Sequence, residues 1–183
     1  MTRMIQANQL NIQAFAQEAV SYAETTPLQQ FSRLAHETSL KQDDATVVWQ
    51  ASAELRKGST PEDDIWLHLQ ATTKLALTCQ RCMTALSMPL EVNQWYRFVA
   101  SEEVAMLQDD ESEEDLLVME PQFDLLAVLE DELLMALPLV PMHEQCPVPP
   151  VMQSAQSGAE EEALTLAEKP NPFAVLAQLK GKK

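Results

Sequence analysis

Apolar side chains alternate with polar ones on both sides of residues 79–82, near the middle of the chain. Alternation with a period of two residues is typical of strands that bury one face. We therefore predict a long antiparallel hairpin over about 64–100, with Cys79 and Cys82 at or beside its turn. The apolar positions are Ile65, Leu67, Leu69, Ala71, Leu75, Leu77 and Cys79 before the turn, and Leu86, Met88, Leu90, Val92, Tyr96 and Phe98 after it.

A third long strand is predicted before the hairpin, because the odd-numbered positions from Val47 to Leu55 are apolar and their neighbours are mostly polar. A charged, turn-forming stretch at residues 56–63 separates this strand from the hairpin. Strands of this length twist and often carry bulges. The strand region 45–100 is therefore expected to form a curled antiparallel meander whose apolar face other elements must cover.

Helical spacing of apolar residues precedes this strand region, at residues 12–37. One helix is predicted from Ile12 to Tyr22, and a second from Leu28 to His36. Thr26 is suited to cap the second helix and Pro27 to occupy its first position.

A longer amphipathic helix is predicted at residues 122–137, after the strand region. Its apolar stripe consists of Leu126, Leu129, Leu133 and Leu137, widened by Leu125, Val128 and Met135. Glu130, Asp131 and Glu132 are expected to point mostly elsewhere. We expect this stripe to pack on the meander. The fold class that follows is α+β, a curled antiparallel β-meander of three or more long strands covered by the N-terminal helices and this helix.

Between the sheet and the long helix, residues 101–115 contain eight acidic residues and no Gly, Pro, Lys or Arg. We predict a solvated acidic loop here, with a possible helical turn around 104–107 and a short strand at 116–119. Residues 1–146 would then form a single domain. Residues 147–170 have the composition of a flexible linker.

The chain regains an ordered pattern at residues 171–180. Asn171 can cap a short helix, Pro172 can start it, and Phe173, Leu176 and Leu179 would share one side. Such a segment could dock into a groove of a partner protein. It could equally fold back on its own domain.

Charge is distributed unevenly along the chain, whose net formal charge is −16. Residues 1–101 hold 8 basic and 10 acidic side chains, whereas residues 102–183 hold 4 basic and 18 acidic ones. Nucleic-acid binding depends mostly on Lys and Arg, so the C-terminal part is a poor candidate for it. Its acidic field suits a basic protein partner, or it serves only solubility.

The first residues lack the apolar run of a secretory signal, and no apolar stretch is long enough for a membrane span. Three cysteines do not make a disulfide framework. We therefore expect a cytoplasmic protein. Glycine-rich phosphate-binding loops and catalytic serine or histidine motifs are absent from the sequence, so we expect neither an enzyme nor a small-molecule substrate.

Cys79 and Cys82 have the C-x-x-C spacing with which a hairpin turn holds one zinc ion. Zinc needs two further ligands, and His143 and Cys146 supply them at the same spacing. The set would be a closed, structural Zn²⁺ site. Two other interpretations remain: a redox pair, which the strand-like flanks disfavour, and ordinary residues without a metal.

Three stretches of the chain together resemble the bacterial YceD family of large ribosomal RNA subunit accumulation proteins. Residues 77–82 read Leu-Thr-Cys-Gln-Arg-Cys. The long helix continues into Pro-Leu-Val-Pro-Met-His at 138–143, followed by Cys146, and residues 169–180 read Lys-Pro-Asn-Pro-Phe-Ala-Val-Leu-Ala-Gln-Leu-Lys. The resemblance implies a role in accumulation of 23S ribosomal RNA and in ribosome biogenesis, without implying catalytic residues.

Two hypotheses follow from this resemblance. In the first, the acidic side binds a basic ribosomal protein or assembly factor, and ribosomal RNA is reached indirectly. In the second, the protein contacts ribosomal RNA directly through basic side chains, namely Arg33, Lys41, Arg56, Lys57, Lys74 and Arg81. The charge of the C-terminal part favours the first.

Overall fold

The computed structural model of the protein describes residues 6–38, 44–58 and 63–148. These residues form an α+β fold around one open, five-stranded mixed sheet with the order β1-β2-β3-β4-β5. The strands are β1 (Ser21–Pro27), β2 (Thr46–Lys57), β3 (Asp63–Thr78), β4 (Ala85–Val99) and β5 (Asp115–Val118). Successive strands from β1 to β4 pair antiparallel, and β5 pairs parallel with β4.

The apolar parity that the sequence predicts is the buried face of β2, β3 and β4. Trp49, Leu67 and Tyr96 are almost inaccessible to solvent, and most of their apolar neighbours on the same face are buried. Leu55 departs from the pattern, because this end of β2 leaves it 43% exposed. Burial of this face supplies the main favourable free energy for the domain.

The first predicted helix is too long at its C-terminal end. Helix α1 (Ile12–Glu18) is capped by Asn11, whose side chain accepts from the backbone of Ala14, and it packs on β2 and β3. It ends at Ala19, which adopts a left-handed conformation with φ 47. The following residues then pair with β2 as strand β1 instead of continuing the helix.

Thr26 and Pro27 do not start a helix, contrary to the prediction. Both belong to β1, and the Thr26 hydroxyl accepts a hydrogen bond of 2.9 Å from Trp49 Nε1 inside the core. Leu28–Gln30 form a short 3-10 turn, and helix α2 (Ser32–Glu37) begins after Phe31. Aromatic and β-branched residues in β1 favour the strand once β2 offers an edge to pair with.

The predicted acidic loop is largely helical. Helix α3 (Glu102–Gln108) runs into a 3-10 turn at Asp109–Glu111. Glu102 and Glu103 lie in the first turn of α3, where the helix dipole favours negative charge. Arg97 then fixes the segment to β4, because its guanidinium donates to Gln108, Ser112 and Glu114. The short strand predicted nearby is present as β5.

Helix α4 (Leu125–Met135) is shorter than predicted and fully buries only part of the predicted stripe. Asp124 caps it by accepting from Ala127 at 3.0 Å. Its buried apolar residues are Leu125, Leu129 and Leu133, whereas Leu126 and Leu137 are only half-buried. Glu130, expected to point away from the core, is also buried, because it binds the N-terminus of α2.

No helix within the described residues is long and apolar enough to cross a membrane. All described residues fall in the first of the two units into which the chain divides, Met1–Pro150. The linker predicted at 147–170, from residue 149 onward, and the C-terminal segment predicted at 171–180 lie outside the described residues.

Candidate metal centre

The turn between β3 and β4 presents Cys79 and Cys82 on one side of the hairpin. The backbone N–H of Cys79 donates to Thr84 O, and that of Met83 donates to Cys79 O, both at 2.9 Å. Met83 has a φ of 58, which lets the chain reverse tightly after the second cysteine. Cys79 is buried and Cys82 half-buried.

The chain returns to this turn after α4. The backbone N–H of Gln80 donates to Pro141 O at 2.8 Å, and that of His143 approaches Cys79 Sγ at 3.4 Å. These contacts tie the returning arm, defined as residues 138–148, to the hairpin tip. They bring two cysteines of one segment next to a histidine and a cysteine more than 60 positions later.

The four side chains predicted as zinc ligands lie together. One ligand atom from each of Cys79, Cys82, His143 and Cys146 falls within 4.8 Å of the other three. The Sγ atoms of Cys79 and Cys146 are 3.9 Å apart, and Cys82 Sγ is 3.5 Å from His143 Nδ1. Tetrahedral zinc with ordinary bond lengths requires separations of about 3.8 Å for two sulfurs and about 3.6 Å for sulfur and nitrogen. The donor set and its spacing therefore fit a Cys₃His metal centre.

The orientation of His143 suits a ligand. Its Nε2 lies 3.1 Å from Ala85 O, which can only accept a hydrogen bond, so this nitrogen carries the proton. Nδ1, which faces Cys82, then has the free lone pair. A carbonyl that fixes the second nitrogen of a metal-binding histidine in this way is a common supporting contact.

The surroundings favour a thiolate at Cys79. Burial raises the pKa of Cys79, but backbone N–H groups of His143, Cys82 and Arg81 that donate to the sulfur outweigh it and lower the pKa to about 5. At Cys146 burial is the dominant influence, and the pKa of this thiol is raised above its ordinary value. N–H donors to sulfur stabilise the charged form that a metal ion requires.

Arg81 belongs to this site, although the sequence suggested an RNA-contacting role for it. Its Nε donates to Cys146 Sγ at 3.0 Å, and its Nη2 donates to the carbonyls of His143 and Glu144 at 2.6 and 3.1 Å. Three thiolates around a divalent cation would leave one negative charge, which this guanidinium would offset. Its position between the two cysteines was the available sequence signal for this role.

Two more of the predicted RNA-contacting side chains make contacts within the protein. Arg33 is paired with Glu130 and Asp131, and Arg56 with Glu54. Lys57 and Lys74 are exposed, and Lys41 lies outside the described residues. The predicted partner-binding residues are also outside them, namely Asn171, Pro172, Phe173, Leu176 and Leu179.

An aromatic cluster on the face of the sheet opposite the core was missed in the sequence. The Arg56 guanidinium lies 4.4 Å from the Trp66 ring centroid and 4.2 Å from that of Trp95. His68 stacks on Trp95 with centroids 4.1 Å apart, and its Nε2 lies 2.7 Å from Asn93 Oδ1. Tryptophan on the polar parity of a strand was the signal that could have revealed this cluster.

The fold and the site define a small α+β protein in which a Cys₃His group joins a hairpin tip to the arm after α4. A sequence model of the family described as "Large ribosomal RNA subunit accumulation protein YceD" matches residues 67–180. This match covers more than half of the chain, and the chain belongs to the YceD family.

A curated relative from Haemophilus influenzae carries the same name. It is 44% identical over 115 residues, which cover 58% of this chain and 60% of the relative. The chain is thus aligned with less than two thirds of that relative's length. No solved structure matches the chain.

Proposed function

We propose that this protein is a non-enzymatic factor that supports accumulation of large-subunit (23S) ribosomal RNA during ribosome biogenesis. Its family membership and the name of the Haemophilus influenzae relative support this role. A cytoplasmic location suits it, because a reducing compartment keeps the three free cysteines available to a metal.

The acidic surface of the protein is the main support for the proposed mode of action, which is binding of a basic partner. No Lys or Arg occurs between Arg97 and Lys169, and Glu102, Glu103, Asp109 and Asp110 are exposed. Arg97 itself is engaged with Glu114. A surface of one sign attracts a partner of the other sign and speeds its association. We infer that the direct partner is a basic ribosomal protein or an assembly factor with a basic surface.

The Cys₃His group has a structural role in this proposal. Four protein ligands fill a tetrahedral zinc ion and leave no open position for a substrate. The metal would hold the arm after α4 against the hairpin tip, and Arg81 would support the thiolates from outside. Because the two pairs of ligands are distant in sequence, the metal would stabilise the folded domain strongly.

Direct RNA binding is the second candidate, and the aromatic cluster favours it. Tryptophan, histidine and arginine side chains on an open sheet face can stack on unpaired bases. Arg56 also lies over both tryptophan rings, and Lys57 follows it. The engagement of Arg33 and Arg81 within the protein removes two of the cations that such binding would use.

Nuclease treatment of a cell lysate, followed by capture of the protein and crosslinking mass spectrometry of the captured complexes, separates the two candidates. The first predicts crosslinks to a ribosomal protein or assembly factor that persist without RNA. Loss of every protein crosslink after nuclease treatment would contradict it. The second predicts salt-sensitive binding of single-stranded ribosomal RNA that the double substitution W66A/W95A weakens, and absence of an RNA complex at low salt would exclude it.

A further inference from the structure

A groove runs along the free edge of β5, between α3 and α4. Its volume is about 530 Å³. Arg97 points toward α3, to which it donates through Gln108, whereas Phe98 packs edge-to-face on Phe123 just before α4, with centroids 5.1 Å apart. Adjacent strand residues point to opposite faces, so the two helices flank this edge of the sheet from opposite sides.

The groove combines an apolar floor with an acidic rim. Its lining includes the half-buried Leu116, Leu117 and Val118 and the exposed Met106, which is 74% accessible to solvent. Four carboxylates border this floor, namely Glu102, Asp109, Glu120 and Asp124. Among the residues that the structure describes, no Lys or Arg side chain lines it. An exposed apolar patch ringed by polar groups is typical of a protein-binding surface.

The strand at the groove's base has an unused edge. Within the described part of the chain, β5 is the last strand of the sheet, and it pairs with β4 alone. Leu116, Leu117 and Val118 all line the groove and are consecutive in β5. Because consecutive side chains point to opposite faces of a strand, a groove lined by all three follows the free backbone edge of β5. Such an edge accepts an added strand through main-chain hydrogen bonds, while side-chain pockets supply specificity.

We propose that this groove binds an extended basic segment of a partner protein, which adds a sixth strand beside β5. Apolar side chains of the segment would enter between Met106 and Val128, and its Lys or Arg side chains would reach the four rim carboxylates. This inference rests on the proposed function and deepens it, because it names the docking site and the chemistry of the partner.

Charge selects a basic segment over a nucleic acid and over a second copy of this chain. A nucleic-acid strand would meet the rim carboxylates with its own phosphates, without a cation in the lining to bind them. A second copy of this chain would bring a further net charge of −16. A basic polypeptide alone satisfies the apolar floor, the acidic rim and the free strand edge together.

A matched pair of variants tests the site. Glu102 and Met106 line the groove, whereas the neighbouring Glu103 and Leu107 on the same helix do not, although Leu107 is 78% exposed. E102K/M106K and E103K/L107K therefore change the net charge equally and place lysine at comparably exposed positions. The probe is a fluorescently labelled peptide of about ten alternating lysine and valine residues, titrated into the full-length protein.

Binding is measured by fluorescence anisotropy, with thermal melts to show that both variants remain folded. E102K/M106K is expected to raise the Kd of the peptide about tenfold or more, and E103K/L107K to leave it within about threefold. In NMR spectra, the peptide should shift the backbone amide signals of residues 115–118. N-methylation of alternate peptide amides should weaken binding about tenfold, because it removes strand hydrogen bonds.

If both variants weaken peptide binding equally, the groove is not the binding site, and the peptide responds only to the overall negative charge. An unchanged Kd for the N-methylated peptide would overturn strand addition. Displacement of the peptide by single-stranded oligouridylate would assign the groove to nucleic acid instead. If the E102K/M106K variant still forms crosslinks to cellular proteins, the groove is not the docking site, although the proposed function stands. If the wild-type protein forms no protein crosslinks, the proposed function itself fails.

Discussion

Removal of the Glu130 carboxylate is the most informative perturbation of the fold. Helix α2 starts after Phe31, which has no side chain that can cap it. Glu130 in α4 fills this role from a distance, because its Oε1 accepts from the backbone N–H groups of Arg33 at 2.7 Å and Leu34 at 3.2 Å. Its Oε2 accepts from the Arg33 guanidinium at 3.0 Å.

The cost of Glu130→Ala can be worked from these contacts. Loss of a helix cap costs about 1 kcal/mol, and hydrogen bonds to a charged group are each worth about 1.5–3 kcal/mol. The ion pair with Arg33 adds little, because the Arg33 side chain is 51% exposed. We expect the free energy of unfolding to fall by about 3 kcal/mol. Glu130→Gln keeps an acceptor oxygen for the helix and should cost about 1 kcal/mol.

Urea denaturation of the full-length protein, followed by circular dichroism, measures both changes. Asp131→Asn is the matched control, since Asp131 also pairs with Arg33 but its side chain is 54% exposed. It should change the free energy of unfolding by less than about 0.5 kcal/mol. A loss below about 1 kcal/mol for Glu130→Ala, or one equal to that of Asp131→Asn, would refute the capping role.

Three further predictions concern the metal centre and the acidic segment. Chelation of zinc, or Cys82→Ser, should lower the free energy of unfolding by about 3 kcal/mol or more, and equal denaturation midpoints with and without stoichiometric zinc would refute metal binding. Arg81→Ala should weaken zinc affinity about tenfold in competition with a chromophoric chelator, because Cys146 loses its donor; unchanged affinity would contradict this. Burial raises the pKa of Glu114, but the hydrogen bond and charge of Arg97, together with backbone N–H groups of Glu114 and Glu113, outweigh it and leave the pKa below its ordinary value. Its stabilising contribution is therefore full above the unfolded-state pKa and lost as the pH falls through the folded-state pKa. Stability measured from neutral to acidic pH should fall less in Glu114→Gln than in the exposed control Glu113→Gln, and parallel pH profiles would count against the ion pair.

The long strands could be predicted from the sequence because most of their buried positions follow a period of two. Val47 to Ala53 and Ile65 to Leu77 place most of their apolar side chains on one parity, although Trp66 lies on the other. The Cys₃His group was also within reach, since Cys79, Cys82, His143 and Cys146 repeat the same spacing. Their proximity is now visible in the fold, whereas occupation by a metal stays a prediction.

Where local preference and tertiary pairing compete, the sequence alone is insufficient. Ser21 and Tyr22 continue a helical pattern and Thr26-Pro27 suit a helix start, yet residues 21–27 form β1 because the edge of β2 satisfies their backbone groups. The acids of residues 102–108 suit a loop or a helix, and Arg97 holds the helix against β4. Both outcomes depend on partners that are distant in the chain.

Local periodicity thus determined which positions of the strands are buried and which residue types could hold a metal. Tertiary structure alone decided the role of Glu130, because a helix without its own cap needs an acceptor from another element. It also decided that Arg81 serves the cysteine turn and that a groove with an acidic rim borders β5. Side chains that work across elements leave no periodic trace in the sequence, since only folding brings their partners together.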